Sequence, residues 1–161
     1  MKATFQVMVI VIILLVSCTP DRKSSIPRVD FDGLEPFLHK HNDTVYVVNF
    51  WATWCKPCIE ELPGFERFAT EYKSRKVKVI LVSLDFPNKH EETLIPFIRD
   101  REIRSTVIHM TEVNANSWID KVSPEWSGAI PATLVYKGNE RVFFEQKLDY
   151  EELKTIVEQK L

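Results

Sequence analysis

The stretch from Val45 to Cys58 constrains the fold more than any other. Val45-Tyr46-Val47-Val48-Asn49-Phe50 is apolar and rich in β-branched residues, the pattern of a buried strand. It runs directly into Trp51-Ala52-Thr53-Trp54-Cys55-Lys56-Pro57-Cys58. Downstream, Ile59, Leu62, Phe65, Phe68 and Tyr72 recur at helical spacing. The C-x-x-C pair therefore sits where a strand ends and a helix begins. The first turn of a helix presents free N–H groups and the positive end of the macrodipole. A thiolate at Cys55 is stabilised there, so its pKa is expected below the ~8.5 of a free thiol. Lys56 adds positive charge beside it, and Pro57 suits a first turn, where a missing N–H costs nothing. Cys55 is the expected attacking thiolate. Cys58, one turn inward, is placed to resolve a mixed disulfide.

Two other uses of such a pair weigh less. Half of a zinc site would need about four ligands in all. The chain has no second cysteine pair, and His39, His41, His90 and His109 are scattered along it. A purely structural disulfide is the other possibility, but this spacing at a helix start suits exchange chemistry better.

The run W-A-T-W-C-K-P-C-x-x-E-x-P resembles the active-site signature of thioredoxin-fold proteins, and within them the TlpA/ResA group of membrane-tethered thiol–disulfide oxidoreductases. Trp51, Trp54, Cys55, Pro57, Cys58, Glu61 and Pro63 occupy matching positions. The resemblance extends from about Asp30 to the C-terminus. It implies an α/β thioredoxin fold, a central mixed β-sheet flanked by helices, with an inserted αβ element. It also implies no cofactor beyond the Cys55–Cys58 pair.

The first seventeen residues do not belong to that domain. Val7 to Val16 is an unbroken apolar run, too short to settle as a membrane span. It ends in Leu15-Val16-Ser17-Cys18, which resembles the lipobox of a bacterial lipoprotein signal, with cleavage before Cys18 and lipidation of its thiol. The expected organisation is a signal peptide at 1–17, a lipidated cysteine and polar tether at 18–27, and a thioredoxin-like domain at 28–161. Thr19 to Pro27 is nine residues and reaches at most ~30 Å, so the site would work close to a membrane surface. The compartment is then the cell envelope, outside the cytoplasm, where disulfides persist. A net charge of −2 gives no sign of a nucleic-acid partner.

Along the domain, Asp32-Gly33-Leu34-Glu35 has the form of a capping box, predicting a helix to about His41. The TlpA/ResA group usually opens with a hairpin here. His39 and His41 fall on different faces of that helix, as surface residues would. The active-site helix is expected to run to about Ser74 with Pro63 inside it. Val77–Leu84 reads as a central strand joined by a right-handed crossover. A helix over about His90–Arg101, interrupted by Pro96, and a strand Thr106–Met110 form the inserted element. A short helix is expected over Asn116–Val122. Lys137-Gly138-Asn139-Glu140 marks a two-residue hairpin between strands Ala132–Tyr136 and Arg141–Gln146. Asp149-Tyr150-Glu151-Glu152 is a capping box for a last amphipathic helix.

The resemblance assigns three further roles. Pro131, in Gly128-Ala129-Ile130-Pro131, matches the cis-proline that faces the cysteine pair, leaving a backbone edge for substrate. Glu61 lies at i+3 from Cys58 on the same face and is the expected proton acceptor for it. Cytosolic-type thioredoxins place an acid six residues before the first cysteine, where this chain has Asn49. Trp51 and Trp54 are expected to rim the site together with Lys56, Pro57 and Ile130. Trp126 is expected near the same groove, and Trp118 in the core. Glu60 is expected to pair with Lys56.

The expected function is a membrane-anchored disulfide reductase. Its substrates would be protein disulfides, with apocytochrome c among those the resemblance implies, and its electrons would come from a membrane thiol-transfer protein. Two rivals share the fold. A copper chaperone would space its cysteines by three residues and add a histidine. A peroxiredoxin-type peroxidase would carry its cysteine in P-x-x-x-T/S-x-x-C, which is absent here.

Overall fold

The computed structural model of the chain describes residues 26–161. The signal segment, Cys18 and most of the tether lie outside the described residues. One sheet carries six strands: β1 (Arg28–Val29), β2 (Val45–Trp51), β3 (Val77–Ser83), β4 (Thr106–Met110), β5 (Ala132–Lys137) and β6 (Glu140–Phe144). Their order is β1-β4-β3-β2-β5-β6. The first four run parallel, while β5 and β6 are antiparallel additions. Among the described residues five α-helices accompany them: α1 (Phe31–Leu34), α2 (Lys56–Glu71), α3 (Ile95–Asp100), α4 (Ile119–Val122) and α5 (Tyr150–Glu158). This is the expected mixed sheet, with α3 and β4 as the inserted element.

Every residue of β2 is buried, so the sheet is covered on both faces. Alternation sends Val45, Val47, Asn49 and Trp51 to the face under α2 and α5. Tyr46, Val48 and Phe50 go to the other, where Phe31, Leu34, Trp118 and Trp126 close a second core layer. Phe50 packs against Trp126 with ring centroids 4.6 Å apart. Trp118 is buried, as expected.

The edges differ from the sequence reading in ways that have local causes. The capping box at Asp32–Glu35 does not form. Asp30 caps α1 instead, its carboxylate accepting from the Gly33 N–H at 3.0 Å. The helix then tightens into a 3₁₀ turn at Glu35–Phe37, where Pro36 has no N–H to donate, and it ends short of His39. Pro96 does not break a helix in mid-course. A wide π-type turn over His90–Leu94 precedes it, with the Ile95 N–H reaching back to the His90 carbonyl. Pro96 thus falls in the first turn of α3. Pro63 is carried inside a single continuous α2 that ends at Glu71 rather than near Ser74. The Gly138-Asn139 hairpin is present, with Gly138 at φ +57°. Asp149 and Glu152 form the reciprocal capping box of α5.

Candidate active site

Cys55 and Cys58 form a disulfide with Cα atoms 5.3 Å apart. Cys55 is itself the N-cap of α2, its Sγ lying 3.3 Å from the Cys58 N–H. In the dithiol form the same N–H points at a Cys55 thiolate, the arrangement that stabilises negative charge. The two cysteines are not equally open. Cys55 keeps 5% of its surface and Cys58 none, so an incoming group meets Cys55 first. Lys56 and Pro57 are exposed beside it. Glu60 pairs with Lys147 at 3.2 Å rather than with Lys56, because the segment before α5 passes that side of α2.

Pro131 follows a cis peptide bond and is buried. The Ile130 carbonyl oxygen lies 3.7 Å from Cys55 Sγ. Among the described residues, neither the Ile130 N–H nor its carbonyl bonds to another backbone group. The loop that presents them is braced from behind. The Trp126 indole donates to the Ala129 carbonyl at 2.8 Å. The Glu145 carboxylate accepts from the Ala129 N–H at 2.9 Å and from both the N–H and hydroxyl of Ser127. The Ser127 hydroxyl, ahead of the two amides, holds the Glu145 carboxyl below its usual range.

Below the disulfide, Glu61 is buried on the face of α2 turned to the sheet. Its Oε1 accepts from Asn49 Nδ2 at 2.7 Å and its Oε2 from the Leu148 N–H at 3.0 Å. Burial pushes its pKa up to about 7, against the pull of those two bonds and of Lys147. Asn49 also donates to Thr133 Oγ1 at 3.1 Å, which ties β2, β5 and α2 together under the cysteines.

The aromatic rim is smaller than the sequence reading has it. Trp51 is fully buried and packs on Phe97, ring centroids 5.4 Å apart. It is still within β2, which is covered on both faces, so it is core rather than rim. Trp54 is 61% exposed and stands at the mouth of the site. Trp126 lies beneath the Ile130 loop as its support.

Several supporting groups carry no local motif. Asp85 is buried at the end of β3, where its carboxylate accepts from the Thr53 N–H and from the hydroxyls of Thr53 and Ser83. It thereby holds the loop that leads into Cys55. Its carbonyl accepts from His109 Nε2 at 2.9 Å. A carbonyl can only accept, so His109 carries a proton on Nε2, and in the neutral ring its Nδ1 is left to accept from His90 Nδ1 across 2.7 Å. These two histidines, nineteen residues apart in sequence, are neighbours in space. Among the described residues, no group of three or more His, Cys, Asp or Glu side chains is placed to hold a metal ion.

Comparison with known proteins adds the lineage. The thiol–disulfide oxidoreductase ResA of Oceanobacillus iheyensis is 49% identical over 39 residues, 24% of this chain and 20% of that protein. ResA of Geobacillus thermodenitrificans is 29% identical over 80 residues, 45% of this chain and 46% of its own length. The matched parts thus span less than half of these relatives. A secreted thiol-disulfide isomerase from Corynebacterium glutamicum superimposes with a TM-score of 0.62 at 16% identity, covering 79% of this chain and 74% of that one. That likeness shows a shared thioredoxin fold. The resemblance to the TlpA/ResA group is borne out. A model of the AhpC/TSA family matches residues 25–143, the greater part of the chain, and the chain belongs to that family.

Proposed function

We propose that the protein is a thiol–disulfide oxidoreductase that reduces protein disulfides outside the cytoplasm. The observation that carries this is the placement of Cys55. Its sulfur caps α2, lies 3.7 Å from the Ile130 carbonyl oxygen, and has a fully buried partner one turn away.

In the dithiol state the Cys55 thiolate attacks one sulfur of a substrate disulfide. A Cys55–substrate disulfide forms, and the other substrate sulfur leaves as a thiolate that takes up a proton. Cys58 then passes its proton to Glu61 and attacks Cys55 Sγ. The Cys55–Cys58 disulfide forms and the second substrate thiolate departs. Two electrons have moved to the substrate, whose first thiolate takes its proton from solvent and whose second takes the one held by Glu61. A dithiol donor protein must return them, and a membrane thiol-transfer protein is the class that the TlpA/ResA likeness supports. The Ile130 N–H and carbonyl, which bond no other backbone group among the described residues, supply an edge on which an extended substrate can hydrogen-bond. Apocytochrome c-like chains are substrates of the right kind.

The Leu15–Cys18 lipobox supports anchoring through a lipid on Cys18, and the secreted relative supports the extracytoplasmic side. Among the described residues, no helix is long and apolar enough to cross a membrane.

The test is a trapping experiment. Cys58→Ser, mixed with an oxidised substrate protein, is expected to stall as a covalent adduct released by dithiothreitol, and Cys55→Ser to form none. Adducts through Cys58 alone would reverse the assigned roles. Rapid consumption of hydrogen peroxide without disulfide exchange would favour the peroxidase reading instead. Stoichiometric copper retained through gel filtration would favour the chaperone.

A further inference from the structure

One buried charge beside the active-site loop takes no part in the proton transfers proposed above. Asp85 keeps 2% of its surface. Among the described residues no Lys, Arg or His side chain pairs with its carboxylate. A buried carboxylate without a cation is costly unless hydrogen bonds replace the water it has lost. Here they do, and all run one way. Oδ1 accepts from the N–H and the hydroxyl of Thr53, and Oδ2 accepts from the Ser83 hydroxyl at 2.8 Å. A pair of oxygens that only accepts is the arrangement of a carboxylate anion.

The backbone of Asp85 is fixed independently of that side chain. Its N–H donates to Ser83 Oγ at 3.2 Å, and its carbonyl accepts from His109 Nε2 at 2.9 Å. The neighbouring Leu84 N–H donates to the Trp51 carbonyl at 2.7 Å. The carboxylate is thus held against the segment that leads to the nucleophile. That segment is a turn, closed by the Cys55 N–H on the Ala52 carbonyl at 3.1 Å, with Thr53 and Trp54 between them. Thr53, the residue gripped, stands two positions before Cys55.

The sign of this charge bears on the chemistry. The N-terminus of α2 and Lys56 favour a Cys55 thiolate, and a dithiol stabilised in that way makes an oxidising couple. A negative charge in a buried, weakly screened position works in the other direction. It raises the energy of the thiolate and leaves the uncharged disulfide as it was. Glu61, next along α2 from Cys58, acts in the same sense only while it is ionised. The loop Gly128–Pro131 brings no ionisable side chain to the cysteines.

Resting on the assignment of Cys55 as nucleophile, we propose that Asp85 is a positioning residue for the thiol chemistry. It pins the turn that ends at Cys55 and sets there a fixed negative charge that disfavours the thiolate and keeps the Cys55–Cys58 couple reducing.

The test removes the charge and preserves the bonds. In Asp85→Asn the side-chain oxygen can accept both Thr53 bonds, and the amide can donate to Ser83 Oγ, whose hydroxyl is free to turn. The full chain and its variants would be equilibrated with glutathione at neutral pH. Two glutathione thiols become one glutathione disulfide as Cys55–Cys58 opens to the dithiol, so the mixture reads the potential. Asp85→Asn is expected to favour the dithiol about tenfold more than the unsubstituted chain, a rise of ~30 mV for a two-electron couple. The ultraviolet absorbance of the Cys55 thiolate in the reduced variant is expected to titrate about one pH unit lower. Thr53→Val removes a bond and keeps the charge, so its potential is expected to equal that of the unsubstituted chain or lie below it. An Asp85→Asn potential equal to or below that of the unsubstituted chain would overturn the proposal. So would a rise in Thr53→Val as large as that in Asp85→Asn, since position alone would then account for both. These are differences between chains, so they hold whichever side of the scale the unsubstituted couple falls on. No reversible couple in the unsubstituted chain would overturn the assignment of Cys55 as well.

Discussion

At the scale of single residues, the proposed transfer of the Cys58 proton to Glu61 makes the second step the pH-sensitive one. A general base acts only when deprotonated, and burial raises this carboxyl to about 7. The rate at which Cys58 releases the mixed disulfide is therefore expected to fall as pH drops through about 7. Glu61→Gln should slow that release by about 10²-fold or more and abolish the inflection, as rapid-quench kinetics on trapped adducts would measure. A rate that keeps its inflection near 7 in the Gln variant would assign the proton to another group. Asn49 acts through Glu61 as a positioning residue. Its Nδ2 bond lowers the Glu61 pKa, so Asn49→Ala should move the inflection to higher pH. It should also destabilise the fold by about 1–3 kcal/mol, the order expected when buried polar partners are left unmatched. A variant with lower stability but an unmoved inflection would make Asn49 merely structural. The cysteines, Glu61 and Pro131 were legible because each sits in or beside a short local pattern. Asp85, Glu145 and Asn49's second bond were not, since each meets a partner supplied by a different strand or loop. Trp51 misled for a related reason. A strand buried on both faces shows no alternation of polarity, so the sequence does not say which way a given side chain turns.

At the scale of elements, the main strands and α2 could be read directly, and the edges could not. β1 is two residues long and exists only through its pairing with β4, so it leaves no periodic signal of its own. The turn over His90–Leu94 begins at a histidine whose ring meets His109 of β4, a partner nineteen residues away that no local pattern announces. The end of α3 is similarly non-local in appearance but simple in cause. Glu102 sits at φ +52° just past the helix, with the Ile103 N–H bonded to the Ile98 carbonyl and the Glu102 N–H to that of Arg99. This is the left-handed terminus that glycine favours. Glu102→Gly is expected to stabilise the protein by about 1 kcal/mol through relief of the left-handed conformation. Thermal melting should show a rise of a few degrees. An unchanged or lower Tm would mean that the Glu102 side chain contributes more than its backbone strain removes.

At the scale of the whole molecule, the sheet brings four chain segments to one end. The loop before α2 supplies Cys55, the end of β3 supplies Asp85, the end of β4 supplies Val113, and the loop before β5 supplies Ile130 and Pro131. The parallel order of β2, β3 and β4 accounts for this, because their C-terminal ends share one edge. Such an edge is where open α/β sheets place their ligands. The central claim is that the Cys55–Cys58 pair at this edge is a reducing dithiol. Its equilibrium reduction potential tests that most directly, measured on the full chain in glutathione or dithiothreitol buffers with Cys55→Ser as the blank. A single two-electron couple near or below about −230 mV, on the thioredoxin side of the scale, is the expected result. A couple at about −120 to −180 mV would contradict the reductase and indicate an oxidant or isomerase, and the absence of any reversible couple would contradict the enzyme itself.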